Sequence, residues 1–275
     1  MPISSVERRN NLSYDEFVRE YASLGKPVII TDVVKDWKAF KKWTLDFFRS
    51  EYGSIKTDVI DSNSKTRISM TIADYLDYMS ACDRDQILYI DEWRISSTPA
   101  LYEDYNVPVH FPDWLQRLPK KLLEKYHLNY SWLFIGPKDA SIGLHTDPLN
   151  TSAWLALISG RKKFIFFTPD QQDFLYDGKV DAFNPNLEKF PLYANAKPIE
   201  VILEPGEIIY TPSKWWHHVK NLEDSIAVTH NGIDEWNSEI VFQSATEASS
   251  IKGLLLPLIL EFPWLGRVLF ATGLL

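Results

Sequence analysis

Before residue 130, hydrophobic positions along this chain fall mostly at helical spacing. After it they gather into short apolar runs of strand length. Ser13 and Glu16 stand three apart, as a capping box requires, and Phe17, Val18, Tyr21 and Ala22 follow at helical intervals. Gly25-Lys26-Pro27 stops that helix, and residues 27–34, apolar and β-branched, predict a buried strand. Thr44 is placed to cap a second helix bearing Leu45, Phe47, Phe48 and Tyr52, and Thr71 opens a third. Residues 56–60, 67–70 and 87–91 read as short strands. Residues 97–129 read as loops and short helices broken by Pro99, Pro108, Pro112 and Pro119.

From Tyr130 the runs 130–135, 153–158, 163–167, 199–203, 207–211 and 225–229 predict strands. Turn signals separate them at Ser159-Gly160, Thr168-Pro169, Glu204-Pro205-Gly206 and Thr211-Pro212, and residues 170–198 form a longer polar excursion. Short strands at this spacing predict a double-sheet barrel or jelly roll, so the fold expected is mainly β with flanking helices. The division expected is a mixed α/β segment over 1–129 packing on a β core over 130–235, then an apolar, helical extension over 236–275. Within it, residues 253–275 are rich in leucine but interrupted by Pro257, Glu261, Pro263 and Arg267, which weighs against a spanning helix. Packing on the barrel, a homodimer interface and an interfacial membrane contact remain the uses open to that tail.

Chemistry concentrates in Gly143-Leu-His145-Thr-Asp147-Pro148 and, far downstream, Trp215-Trp-His217-His218. On an extended segment, His145 and Asp147 point to one face because strand side chains alternate. A third ligand from another strand, His217 or His218, completes a two-histidine, one-carboxylate set, the arrangement of non-haem Fe(II) oxygenases. Spacing does not choose between those two, since strand neighbours face opposite sides. Alone, His-x-Asp is common and reads equally as a histidine hydrogen-bonded to a carboxylate on a sheet surface. Its place before a strand, the later histidine and an intervening lysine favour the metal reading. That lysine is Lys162, in Gly160-Arg161-Lys162-Lys163: inside a barrel its ammonium needs an anionic partner, such as a dicarboxylate cosubstrate, whereas on a solvated turn it needs none. His110 and His127 have no companions at metal-binding spacing and read as surface or packing residues.

Composition narrows the classes. A formal charge of -8 argues against non-specific nucleic-acid binding. Cys82 is the single cysteine, which excludes an intramolecular disulfide and a cysteine-based zinc site. The opening residues MPISSVERRNNLSYDE carry no apolar run of the secretory kind, and a cytoplasmic protein is the expectation.

The string His145-Thr-Asp-Pro-Leu-Asn-Thr-Ser-Ala-Trp154, with Ser159-Gly-Arg-Lys162, Phe166-Phe-Thr-Pro169, Glu204-Pro-Gly-Glu207, Trp215-Trp-His217 and Ile226-Ala-Val-Thr-His-Asn231, resembles the JmjC-domain oxygenases. Within them it is most similar to the lysyl 5-hydroxylase, phosphatidylserine-receptor-like branch. Leu88-Tyr-Ile-Asp91 and Glu103-Asp-Tyr-Asn-Val-Pro108 extend the likeness, which covers about residues 10–235. The resemblance implies a double-stranded β-helix of the cupin/JmjC type that uses Fe(II), 2-oxoglutarate and O2. It implies iron ligands His145, Asp147 and His217, and cosubstrate contacts from Lys162, Tyr89 and Thr229. Where the related hydroxylase has asparagine and threonine, this chain has Leu155 and Ile142. Asn231 or Ser141 would replace the lost polar contact, and these four with Trp154 are the expected pocket residues. The implied activity is hydroxylation or N-demethylation of a protein side chain such as lysine. A small molecule or a modified nucleic-acid base as substrate, a catalytically silent binding module, and a metalloenzyme without 2-oxoglutarate are the alternatives.

Overall fold

The computed structural model describes residues 3–81, 86–125, 128–248 and 250–272; Cys82 and His127 lie outside them. Eight strands make the core: β6 (Ser131–Gly136), β7 (Ser141–His145), β8 (Ser152–Ser159), β9 (Lys162–Phe167), β10 (Ile199–Leu203), β11 (Ile208–Thr211), β12 (Trp216–Asn221) and β13 (Ser225–Gly232). They divide between two facing sheets, in the orders β11-β8-β13-β6 and β10-β9-β12-β7, with every pairing antiparallel. In chain order every step from β6 to β13 except β9 to β10 crosses from one sheet to the other, which is the winding of a jelly roll. The apolar runs become strands because each is buried on at least one face. Phe164, Phe166, Leu157, Ala227 and Ile209 fill the space between the sheets.

Five earlier strands extend the larger sheet at both edges. β1 (Glu7–Arg9) and β2 (Val28–Ile30) join it at β11, while β5 (Leu88–Arg94), β3 (Lys56–Asp61) and β4 (Arg67–Thr71) join at β6. The N-terminal segment is thus hydrogen-bonded into the core sheet as well as packed on it. Its helices cover the outer face, where Trp37, Trp43, Phe48, Tyr75 and Trp154 form a second apolar cluster. Ser13 and Glu16 make the reciprocal capping box, but only Tyr14–Phe17 is α-helical and Val18–Ala22 widens to a π turn that seats Tyr21 and Ala22 in the core. The strand expected over 27–34 shortens to Val28–Ile30, because a turn over Val34–Asp36 takes the chain off the sheet.

Helices Ser238–Ala248, Ser250–Glu261 and Pro263–Ala271 close the chain. Leu256, Ile259 and Leu260 pack with Val241 against Leu115, Leu118, Leu122 and Leu123, so part of the apolar tail is consumed by the fold. Among the described residues no helix is long and apolar enough to cross a membrane.

Candidate metal centre and its cavity

β7 and β12 are hydrogen-bonded neighbours with His145 opposite His217 in register, and their rings lie 4.2 Å apart between centroids. Asp147 follows on extended backbone at the start of the Pro148–Asn150 turn, which aims its carboxylate back at the two rings. One ligand atom from each of the three lies within 4.8 Å of the others. Tautomers follow from the partners. His145 Nδ1 donates to the Gly143 carbonyl at 2.7 Å and His217 Nδ1 to the Trp215 carbonyl at 3.2 Å. Since a carbonyl only accepts, Nδ1 carries the proton in each ring and the Nε2 lone pair is free to ligate. Burial, helped by His217, pushes His145 down to about 4, so it is neutral near pH 7, as a metal ligand must be.

The carboxylate supplies the test of fit. Asp147 Oδ1 accepts from Asn231 Nδ2 at 2.7 Å. Asp147 Oδ2 is buried, without a hydrogen-bond partner, and 4.0 Å from His217 Nε2. A carboxylate oxygen withdrawn from water with no donor is costly unless a cation meets it. Two imidazole nitrogens and one such oxygen fit a divalent iron ion with several positions left open.

His218 takes no part. It projects from the opposite face of β12, where Nδ1 accepts from the Ala182 amide at 3.2 Å and Nε2 meets Ser141 Oγ at 2.9 Å. His110 packs edge-on against Phe17 and bonds the Leu12 carbonyl, as a core histidine does.

A cavity of about 220 Å³ between the sheets joins His145, Asp147 and His217 to Lys162, Tyr89 and Thr229, with Ile142, Ala153, Leu155, Phe164 and Val219 among its walls. Lys162 begins β9 and is fully buried. Its ammonium donates to Tyr89 Oη at 2.9 Å and Asn221 Oδ1 at 2.6 Å, both neutral, and no described carboxylate pairs with it. Burial drives Lys162 down to about 7. Burial also raises the Tyr89 phenol well above its usual value, so the hydroxyl keeps a proton to donate into the cavity. Thr229 Oγ1 spends its proton on the Trp154 carbonyl at 2.8 Å and offers its lone pairs. A larger cavity, about 620 Å³, lies near Asp113, Ser131 and His230, but no His/Cys/Asp/Glu group able to hold a metal accompanies it among the described residues.

Two expected pocket residues lie elsewhere. Alternation along β8 turns Ala153 and Leu155 into the cavity and Trp154 outward, where it stacks on Phe111 at 5.9 Å and meets Trp37 edge-on. Along β7 a bulge between Ile142 and His145 shifts the alternation, so that both face the cavity and Ser141 turns outward to His218 and the Val219 carbonyl. Of the two polar residues expected beside Leu155, Asn231 lines the cavity and Ser141 does not. Asn221 was missed, although its signal was present: 217, 219 and 221 share one face of a strand, so the residue four beyond His217 also points inward.

A profile of the cupin-like domain family matches residues 14–231, and the chain belongs to that family. Among curated relatives, the lysine-specific demethylase JMJ21 of Arabidopsis thaliana is 37% identical over 251 residues, covering 85% of this chain and 26% of its own length. The bifunctional arginine demethylase and lysyl-hydroxylase psr-1 of Caenorhabditis elegans is 31% identical over 250 residues, 85% of this chain and 62% of that protein. The 2-oxoglutarate and iron-dependent oxygenase JMJD4 of Gallus gallus is 27% identical over 268 residues, 87% and 62% respectively. The chain thus spans between about a quarter and three-fifths of these relatives' lengths. These likenesses bear out the JmjC resemblance and the jelly-roll fold.

Proposed function

We propose that this protein is an Fe(II)- and 2-oxoglutarate-dependent dioxygenase that hydroxylates, or N-demethylates, a protein side chain such as lysine. One observation carries the reading: a fully buried ammonium with only neutral partners shares a cavity with a carboxylate oxygen that has none. The first calls for an anion and the second for a cation, and a metal-chelating dicarboxylate answers both. Iron with 2-oxoglutarate supplies O2 activation, placing one oxygen atom in a substrate C–H bond and the other in succinate as CO2 is lost. His145, Asp147 and His217 would hold the metal, and Asn231 keeps the Asp147 carboxylate turned toward it. Lys162 would pair with the far carboxylate of 2-oxoglutarate, Tyr89 would donate its free hydroxyl proton to it, Asn221 holds the ammonium in place, and Thr229 would contribute by turning its hydroxyl from the Trp154 carbonyl to the carboxylate. Leu155, Ile142, Phe164 and Val219 keep water from the reacting centre. Demethylation needs no further residue, because a hydroxylated carbon that bears nitrogen releases formaldehyde.

The exposed Leu258, Trp264 and Val268 on the last two helices, with Phe262 between them, support self-association through the tail, to be read from molecular mass across a dilution series. The activity is tested by purifying the protein without oxygen, adding Fe(II), 2-oxoglutarate and O2, and following succinate, with Lys162→Ala in parallel. Turnover that needs far more 2-oxoglutarate in the variant is expected. Absence of both succinate and 2-oxoglutarate binding in the wild type would leave a silent cupin-like binding module.

A further inference from the structure

The wall of the cavity also carries charge that metal and cosubstrate leave unused. Asp91 and Glu92, adjacent on β5, line the same space as His145, Asp147 and Lys162. One guanidinium serves both. Arg67, the first residue of the edge strand β4, donates from Nη1 to Asp91 Oδ1 at 3.0 Å and approaches Glu92 Oε1 through Nη2 at 3.1 Å. Asp91 is nearly buried, with 12% of its side chain exposed, while Glu92 is 57% exposed. Among the described residues Arg67 is the one cation paired with both carboxylates, which leaves them under-neutralised beside the apolar Trp132, Phe134, Ile142 and Leu155 of the same wall. Apolar walls suit methylenes, and an under-neutralised acidic pair suits a positive head group.

We propose that Asp91 and Glu92 recognise the cationic group of the substrate and that Arg67 is a built-in counter-ion that holds this recognition back. The inference rests on the oxygenase reading of the cavity and assigns the residues that select what enters it. An arriving ammonium or guanidinium takes up the charge that Arg67 leaves over, chiefly at the more exposed Glu92. Arg67 then acts opposite in sign to the acids it pairs with: removing an acid weakens binding of a cation, and removing the arginine strengthens it. A merely structural salt bridge behaves differently, because losing either side loosens the same contact.

That opposition is the test. Two otherwise identical hexapeptides, one with a central lysine and one with norleucine, are titrated into full-length protein holding Mn(II) and 2-oxoglutarate under anaerobic conditions, where nothing turns over. Lysine is expected to bind more tightly than norleucine. Glu92→Gln should weaken the lysine peptide about fivefold and Arg67→Gln should tighten it by a similar factor, as partly exposed charges do. Norleucine should ignore both changes. Asp91→Asn is the harder variant, since Asp91 is the more buried partner; Glu92→Gln on the open rim keeps the experiment decisive. Equal binding of the two peptides, or weakening by Arg67→Gln, overturns the proposal whatever the succinate assay gives. Failure of succinate formation with cation discrimination intact removes the oxygenase reading and leaves the acidic wall as a cation-binding surface.

Discussion

Replacing Lys162 with methionine removes one buried charge and keeps the chain length. The fall from 10.5 to about 7 that burial imposes on Lys162 corresponds to about 5 kcal/mol of charging cost in the ligand-free protein. The unfolded chain keeps that proton up to 10.5 and the folded one only to about 7. The cost is therefore carried in full below pH 7 and disappears as pH climbs toward 10.5, so ligand-free stability rises with pH across that window. Methionine abolishes the cost but leaves Tyr89 Oη and Asn221 Oδ1 without their donor, at about 1–3 kcal/mol each. Lys162→Met is thus expected to lie between roughly 1 kcal/mol less and 3 kcal/mol more stable than the wild type near neutrality. The sharper readout is the slope. Denaturant unfolding from pH 7.5 to 9 should show wild-type stability climbing by up to about 1.4 kcal/mol per pH unit, and the variant flat. The two shifted histidines act outside that window: His145 and His218, both lowered to about 4 by burial, affect stability only below about 6.5. The raised tyrosines act only from about 10 upward. Calorimetry of 2-oxoglutarate binding at pH 8, in buffers of different ionisation enthalpy, should show close to one proton taken up per cosubstrate, because the pairing restores the ammonium. Equal slopes in both proteins, or no proton uptake, would refute the assignment of Lys162 as a charge waiting for its anion.

Alanine at His217 should abolish Mn(II) binding measured by calorimetry, while alanine at His218 should spare it and cost only stability; equal loss in both would contradict the facing of β12. Asn231→Ala frees Asp147 to rotate, and metal affinity should drop about 10–100-fold with little change in 2-oxoglutarate affinity at saturating metal. Trp154→Ala should cost about 3–5 kcal/mol in unfolding experiments, since the indole is buried among Trp37, Tyr105 and Phe111. Metal affinity of the folded fraction should stay near wild type, and a drop matching that of Asn231→Ala would return Trp154 to the cavity wall.

The strands from Ser131 onward were legible because burial on a sheet selects apolar, β-branched and aromatic runs, and glycine and proline mark their ends. β7 and β12 were harder to see. They carry Ser141, His145, His217, His218 and Asn221, residues chosen for what they bind, so the apolar signal is thin where the chemistry sits. The His145/Asp147 pair was visible in the sequence from its spacing, but the choice of His217 over His218 came from likeness to a family; in the structure it is the register of β12 on β7 that makes it. Trp154 was misplaced through neglect of alternation, being one residue from the cavity-facing Ala153 and Leu155, whereas Ser141 was misplaced because a bulge between Ile142 and His145 reverses the side that alternation from His145 gives it. The Arg67–Asp91–Glu92 group had no local signature, since it joins strands that meet only through tertiary pairing. The division at residues 129 and 235 follows composition, whereas hydrogen bonding runs across the first boundary from β5 to β6.

β7 is the outermost strand of the smaller sheet, held along one side by β12. On its other side, among the described residues, the Ser141 amide donates to Ser62 Oγ and the Gly178 backbone lies close to the Leu144 carbonyl. A metal ion gripping His145 from this strand and His217 from its neighbour would act as a rivet between the edge strand and the rest of its sheet. Peeling β7 away would then require breaking a coordination bond as well as a ladder of amides. Deuterium uptake along residues 141–145 should accordingly slow when metal is added, making the edge of the barrel a built-in gauge of whether its centre is filled.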